Sequence, residues 1–402
     1  MDEAAAFDRM WDDLAGLGRH PGTGGYRRYA WTRDDADLRE WFAGEVAARG
    51  LDLVADRAGN LWAWWGNPDA DGPGVVLGSH LDSVPDGGAF DGPLGVVSAL
   101  AAVDALRARE VTPARPLGVA LFGDEEGARF GVACAGSRLL TGALAPDRAR
   151  GLTDGDGVSM AEALRRAGRD PAALGRDDET LRRVGAFVEL HVEQGRALAA
   201  LNEDRPVGVG TAIWPHGRWR IELPGEANHA GTTALDDRRD PMVALASVVL
   251  AARGAAAWYD ALATCGKVAV APNGVNAVPS RVTAWLDARA PRAAAVRAVV
   301  EEVTGVVEVS GGTVVEESWT DRTPFDGDLG ARLAALLEDA PRLDTGAGHD
   351  AGILAAAGVP TAMLFVRNPT GVSHSPAEHA DRADCLAGVA ALTEVAAELA
   401  GP

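Results

Sequence analysis

Four short apolar runs punctuate the chain, and each leads into a loop rich in glycine, acid or histidine. GVVLG runs into SHLDSVPDGGAFDG, PLGVALF into GDEEGARFG, AFVEL into HVEQG, and TAMLFV into RNPTGVSHSPAEH. Unbroken apolar runs of this length predict strands buried on both faces. An alanine-rich stretch at about 93–109 predicts a long helix after the first of them. Strands alternating with helices in this way predict an α/β sheet, and ligands of such sheets bind beyond the strand C-termini. Ahead of these runs, the first 40 residues or so read as helix, Gly-rich turn, helix. LVADRAGNLWAWWG then reads as two short strands around a turn.

The middle of the chain has a different rhythm. RWRIELPGEANHAG alternates as an amphipathic strand, and DPMVALASVVLAARGAAAWYDAL has helical character. KVAVAPNGVNAVPSRVTAWLDARA reads as two strands around an Asn/Gly/Pro turn, and AAAVRAVVEEVTGVV and GGTVVEESW add a helix and a strand. That order is the split βαβ pattern. It places an inserted α+β domain at 212–323 within an outer domain made of 1–211 and 324–402.

Composition narrows the function classes. The net charge of -20 disfavours nucleic acid and anionic membranes, whose phosphates such a chain repels. Lys267 is the only lysine, which leaves little room for Schiff-base chemistry. Cys134, Cys265 and Cys385 are too few and too scattered for a disulfide framework or a zinc knuckle. The N-terminal residues lack the basic start and apolar centre of a signal peptide, and no apolar run reaches the roughly 20 residues that span a bilayer. A reducing, cytoplasmic setting is the expectation.

The candidate chemistry sits in the loops after the apolar runs. His80 and Asp82 stand two apart, with Asp91 further along the same loop. Imidazole and carboxylate are ordinary ligands for zinc-like divalent ions, although lone His and Asp residues in a loop are more often solvated or turn-forming. Glu125 and Glu126 follow the second run directly. Neighbouring side chains on extended backbone point apart, so one carboxylate is free to hold metal and the other to hold water. His191 and His374 follow the third and fourth runs. Each alone reads as a structural histidine. Together the five residues His80, Asp91, Glu126, His191 and His374 make a set that two metals sharing one carboxylate would use.

These motifs, in this order, resemble the aminoacylase/carboxypeptidase-type metallopeptidase superfamily. Within it the chain is most similar to the hydantoinase/carbamoylase branch, which includes N-carbamoyl-L-amino-acid hydrolases, ureidopropionases and allantoate amidohydrolases. The resemblance begins near GGYRRYAWT and RAGNLWAWW and runs through GSHLDSVPDGGAFDGPLGV, DEEGARFG, ELHVEQG, GEANHAGTT, PNGVNAVPS, GAGHDA and VSHSPAEH. It implies a mixed-sheet dinuclear metallopeptidase domain with an inserted ferredoxin-like lid and dimerisation domain.

The same resemblance implies roles. His80, Glu126, His191 and His374 become ligands of two divalent ions (zinc, manganese, cobalt or nickel), with Asp91 as the bridge. Asp82 becomes the acid that orients His80, and Glu125 the general base. His229 becomes the oxyanion donor, supplied by the neighbouring subunit of a homodimer. Asn276 and Arg289 become a clamp for the substrate carboxylate, and Gln194 a contact to its ureido group. His349, Asp350 and Asn273 match motifs near the site without a resolved role. TAIWPHGRWRIEL departs from the branch: Trp214, Pro215 and His216 stand where a Gly-rich strand is usual, either packing a hinge or reshaping the pocket. The activity implied is hydrolysis of the ureido C–N bond of an N-carbamoyl-L-amino acid or allantoate, releasing ammonia and carbon dioxide. An aminoacylase or dipeptidase of the same superfamily is the nearest rival, and a non-catalytic metal-binding scaffold a distant one.

Overall fold

The computed structural model describes residues 3–201 and 204–401. Along the first part of the chain run β1 (Asp52–Ala55), β2 (Leu61–Trp65), β3 (Gly74–His80), β4 (Leu117–Phe122), β5 (Val184–Val192) and β6 (Val207–Ile213). The middle holds β7 (His216–Pro224), β8 (Asn228–His229), β9 (Leu262–Ala271), β10 (Ala277–Val278), β11 (Arg281–Arg289) and β12 (Thr313–Thr320). β13 (Thr323–Pro324), β14 (Arg342–Thr345) and β15 (Thr361–Val366) complete the set. The chain divides into two compact units, one of residues Met1–Thr211 and Pro324–Pro402, the other Ala212–Thr323.

The larger unit is built on a nine-stranded mixed sheet in the order β1-β2-β4-β3-β5-β15-β6-β13, with β14 beside β6. Its four central strands, β4, β3, β5 and β15, are mutually parallel. β2 and β6 run antiparallel at their flanks. Parallel neighbours need long crossovers, and the helix Pro93–Ala108 supplies one between β3 and β4. Gly92 precedes it, Pro93 opens it, and thirteen of its sixteen residues are buried. β3, β4 and β15 are buried along their whole length, as their unbroken apolar sequence requires. All four parallel strands therefore end at the same edge of the sheet.

The smaller unit is an antiparallel four-stranded sheet, β12-β7-β11-β9, beside the short pair β8 and β10. Alternate residues Trp219, Ile221 and Leu223 of β7 and Val282, Ala284, Leu286 and Ala288 of β11 point into one core. Two helices, Pro241–Tyr259 and Ala293–Val309, close it with Leu245, Val248, Val296 and Val303. The first of these helices is long and apolar enough to cross a membrane on length and composition. Here its buried side packs on the sheet.

Candidate metal centre

Each of the four parallel strands delivers a potential metal ligand to the shared edge. His80 is the last residue of β3 and His191 the penultimate residue of β5. β4 ends at Phe122, and the chain turns through Gly123 and Asp124 into Glu125 and Glu126. His374 lies in the loop after β15, and Asp91 just ahead of the helix Pro93–Ala108. The two strand histidines differ from the expectation that every ligand lies in a loop. Strand pairing is made by backbone groups and continues through a polar side chain, so the end of an apolar run is not the end of the strand. Asp124, Cys134 and His374 adopt left-handed backbone, at φ 55°, 54° and 54°. Such conformations cost non-glycine residues about 1–3 kcal/mol and gather at functional sites.

Asp91 stands at the centre of the cluster. Its Oδ1 lies 3.2 Å from His191 Nε2 and 3.6 Å from His80 Nε2. Its Oδ2 lies 3.3 Å from His374 Nε2, which is itself 3.6 Å from Glu126 Oε2. Two ligand sets result, His80–Asp91–His191 and Asp91–Glu126–His374, each with its ligand atoms within 4.8 Å of one another. The shared carboxylate turns a different oxygen to each set.

The donor atoms suit divalent cations. His80 Nδ1 faces the Asp82 carbonyl at 3.1 Å, and His191 Nδ1 faces the Val192 carbonyl at 2.9 Å. A carbonyl only accepts, so both Nδ1 atoms carry hydrogen and both Nε2 atoms keep a lone pair when neutral. Those two Nε2 atoms and Glu126 Oε1 are buried without a hydrogen-bond partner. Buried polar atoms are normally satisfied, and a cation is the partner this set of atoms fits. Gly92 keeps the space open: a Cβ there would stand 2.5 Å from His80 Cε1, at a φ of +88°.

The packed charges shift one another's proton affinities. Burial pushes His80 down, but Glu125, Asp82 and Asp91 together hold it well above its usual value. His374 is raised to about 9 by its hydrogen bond to Asp91, against burial and with help from Glu126. Burial raises Asp91, yet His191, His374 and His80 hold it well below the carboxylate range. Glu126 is pushed up to about 7 by burial and by Asp91. Glu125 is pushed well above its usual range by burial, opposed by His80 and reinforced by Asp350 and Glu126.

The other residues singled out in the sequence fall in both units. Asp82 uses its carboxylate on the Glu125 and Glu126 amides, at 3.1 and 3.0 Å. The carboxylate is 3.6 Å from His80 Nδ1, so it is Asp82's backbone carbonyl that holds the ring. Gln194 Nε2 donates to Asp91 Oδ2 at 2.8 Å and lies 3.3 Å from His374 Nε2. Glu125 lies outside both ligand sets, with Oε2 3.8 Å from His80 Nε2. Its Oε1 receives the buried Cys134 thiol at 3.2 Å. Behind the ligands, the His349 ring meets His191 edge-on at 4.5 Å, while Asp350 accepts from the Ser137 hydroxyl. Glu189 accepts from Ser79 Oγ and the Ala351 amide. Cys134 and Glu189 carried no signal in the sequence, because nothing in their local spacing marks them.

In the smaller unit, exposed His229 in β8 pairs with Ala277 of β10, next to Asn276. Arg289 ends β11 and holds Asp287 through Nε at 2.7 Å and Nη2 at 3.0 Å. His216 opens β7 directly opposite Arg289. It is held neutral by burial, and its Nδ1 lies 2.9 Å from the Trp214 carbonyl. Asn273 sits with φ 61° in the turn between β9 and β10.

Residues 76–398 match the family model for peptidase family M20/M25/M40. The chain is 35% identical to an N-carbamoyl-L-amino acid amidohydrolase of Geobacillus stearothermophilus, with 98% of each chain covered. It is 33% identical to an allantoate amidohydrolase of Escherichia coli K12, with 96% of each covered. Its structure superposes on a hydantoinase/carbamoylase family amidase from Burkholderia vietnamiensis with a TM-score of 0.86 at 31% identity, covering 98% of each chain.

Proposed function

The chain belongs to peptidase family M20/M25/M40 and is a hydrolase of non-peptide C–N bonds, and from that premise we propose that it cleaves the ureido C–N bond of an N-carbamoyl-L-amino acid or of allantoate. The observation that carries the ureido reading is the likeness over nearly the whole chain to relatives named N-carbamoyl-L-amino acid and allantoate amidohydrolases, and the two-metal chemistry is supported by the division of Asp91. One oxygen faces His80 and His191, the other His374 of the set that includes Glu126, and Glu125 stands outside both sets with its Oε2 3.8 Å from His80 Nε2. When bound, two divalent ions (zinc, manganese, cobalt or nickel) would polarise the scissile carbonyl and acidify the attacking water.

The chain's own groups do the rest. Glu125 takes a proton from the attacking water and returns it to the leaving nitrogen. His229 donates to the oxygen on which charge develops, a contribution of about 2.7–4 kcal/mol for one such donor. Asn276 and Arg289 take the substrate carboxylate, for which a guanidinium fork is suited, and Gln194 contacts the ureido group. The carbamate left after cleavage breaks down, and ammonia and carbon dioxide are released.

His229 acts in this scheme from a second copy of the chain. A homodimer through the smaller unit is supported by its exposed apolar helix: Val243, Leu250 and Trp258 of Pro241–Tyr259 are 66%, 72% and 83% exposed. β9 lies beside it as an outer strand of the sheet, with one side unpaired among the described residues. The three cysteines are free, which suits the cytoplasm, the setting we propose. The test is ammonia release by protein reloaded with each metal, from N-carbamoyl-L-amino acids and allantoate against N-acetyl amino acids and dipeptides. Faster turnover of the last two classes, without ammonia from the first, would replace this reading with an aminoacylase or dipeptidase.

A further inference from the structure

Four residues beyond His374, Glu378 is buried and reaches back to a loop nearly three hundred positions earlier in the chain. Its Oε2 accepts the amide N–H groups of Phe90 at 2.9 Å and Asp91 at 3.0 Å. Its Oε1 lies 3.1 Å from the Ser373 hydroxyl, which also lies 3.3 Å from Asp91 Oδ2. Gln194 Nε2 donates to that hydroxyl oxygen and to Asp91 Oδ2. The loop is shaped to admit this carboxylate. A Cβ at Gly88 would stand 2.3 Å from Glu378 Oε2 and 2.4 Å from its Cβ.

We propose that Glu378 is a positioning residue for the bridging carboxylate: it holds the Asp91 backbone directly, and it seats the Ser373 hydroxyl, whose single proton lies between the Glu378 and Asp91 carboxylates. Resting on the two-metal reading above, this gives Glu378 a task separate from ligation. Asp91 bridges only if its two oxygens stay divided between the two ligand sets, and rotation of the carboxyl plane would spoil both. Glu378 narrows that freedom by fixing the Asp91 backbone and the place of Ser373, while Gln194 Nε2 holds Oδ2 itself. It also ties the segment bearing His374 to the loop bearing Asp91, so two ligands of one set are placed by a single side chain. Groups that orient ligands in this way typically cost about 10–100-fold in metal affinity or activity when lost.

The test is calorimetric titration of chelator-stripped protein with Mn²⁺ and with Zn²⁺, with bound metal counted by elemental analysis and the metal-free melting temperature recorded. Glu378→Ala is expected to weaken the weaker of two binding steps by about 10–100-fold. Glu378→Gln is expected to restore affinity to near wild type, because its amide oxygen accepts both backbone N–H groups and its NH2 donates to Ser373. Gly88→Ala keeps Glu378 but fills its seat, and is expected to weaken the same step; it serves if Glu378→Ala does not fold. Unchanged affinities in Glu378→Ala or Gly88→Ala, with only the melting temperature lowered, would reduce Glu378 to a structural residue. Glu378→Gln as weak as Glu378→Ala would overturn the hydrogen-bond mechanism. A wild-type chain that binds no ion would instead sink the metal centre itself.

Discussion

Glu125 and Glu126 are consecutive and chemically identical, and their surroundings divide the work between them. Glu126 leaves Oε1 unpartnered and turns Oε2 to His374, whereas Glu125 is occupied by the Cys134 thiol on one side and lies beside His80 on the other. Glu125→Gln should therefore keep two bound ions while turnover falls about 10²–10⁴-fold, the usual worth of a positioned base. Elemental analysis beside steady-state rates decides it, and a metal-loaded variant of normal turnover would remove Glu125 from the mechanism. His374 sets a second expectation. Metal needs the neutral imidazole, and in the metal-free cluster His374 keeps its proton up to about 9. Binding at its set must expel that proton, so between about pH 7, where Glu126 sheds its own, and pH 9 affinity should rise by up to about tenfold per unit. Titrations at several pH values in non-chelating buffer would show it. Affinity that is flat or falls across that range would mean the proton is not there.

The parallel strands and the turns that close them were legible at the scale of elements. GVVLG, PLGVALF and TAMLFV have the unbroken apolar character of strands buried on both faces, and β3, β4 and β15 occupy them. Strand ends were less legible, since β3 and β5 run on through His80 and His191. What spacing did not reveal are the contacts that fix the loops, because they join distant parts of the chain. Asn60, in the turn between β1 and β2, is fully buried. It accepts the Gly123 amide at 3.0 Å and donates to Asp56 and to the Gly136 carbonyl. An outer turn of the sheet thereby holds the loop that carries Glu125 and Glu126, a role RAGNLWAWW does not advertise. Asn60→Ala strands the buried Gly123 N–H and should cost about 1–3 kcal/mol. It should also lower turnover more than substrate affinity. Denaturant unfolding within about 0.5 kcal/mol of wild type, the range of an ordinary surface change, would show that the turn does not anchor the loop.

For the whole molecule, the question is what covers the exposed side of the helix Pro241–Tyr259. Arg253 is its only charged residue, in a chain whose net charge of -20 otherwise keeps copies apart. A bilayer is a poor occupant, because Leu245, Val248 and Ala252 on the opposite side are packed against a sheet. A second copy suits it better: a two-fold axis sets like against like, so an uncharged face meets an uncharged face and β9 meets an equivalent edge. Val243→Glu with Leu250→Glu should then yield a monomer by sedimentation. If His229 serves the partner's site, that monomer should also be nearly inactive, although neither substituted residue belongs to the catalytic machinery. Complementation separates this from simple damage. Glu125→Gln and His229→Ala are each expected to be almost inactive alone. After reassociation of an equal mixture, half the dimers are mixed, and each mixed dimer has one site with both groups intact. Recovery of about a quarter of wild-type activity is the expected outcome for a two-fold dimer with sites completed in trans. A mixture as inactive as its components, with mixed dimers confirmed by native mass spectrometry, would place His229 in the site of its own chain.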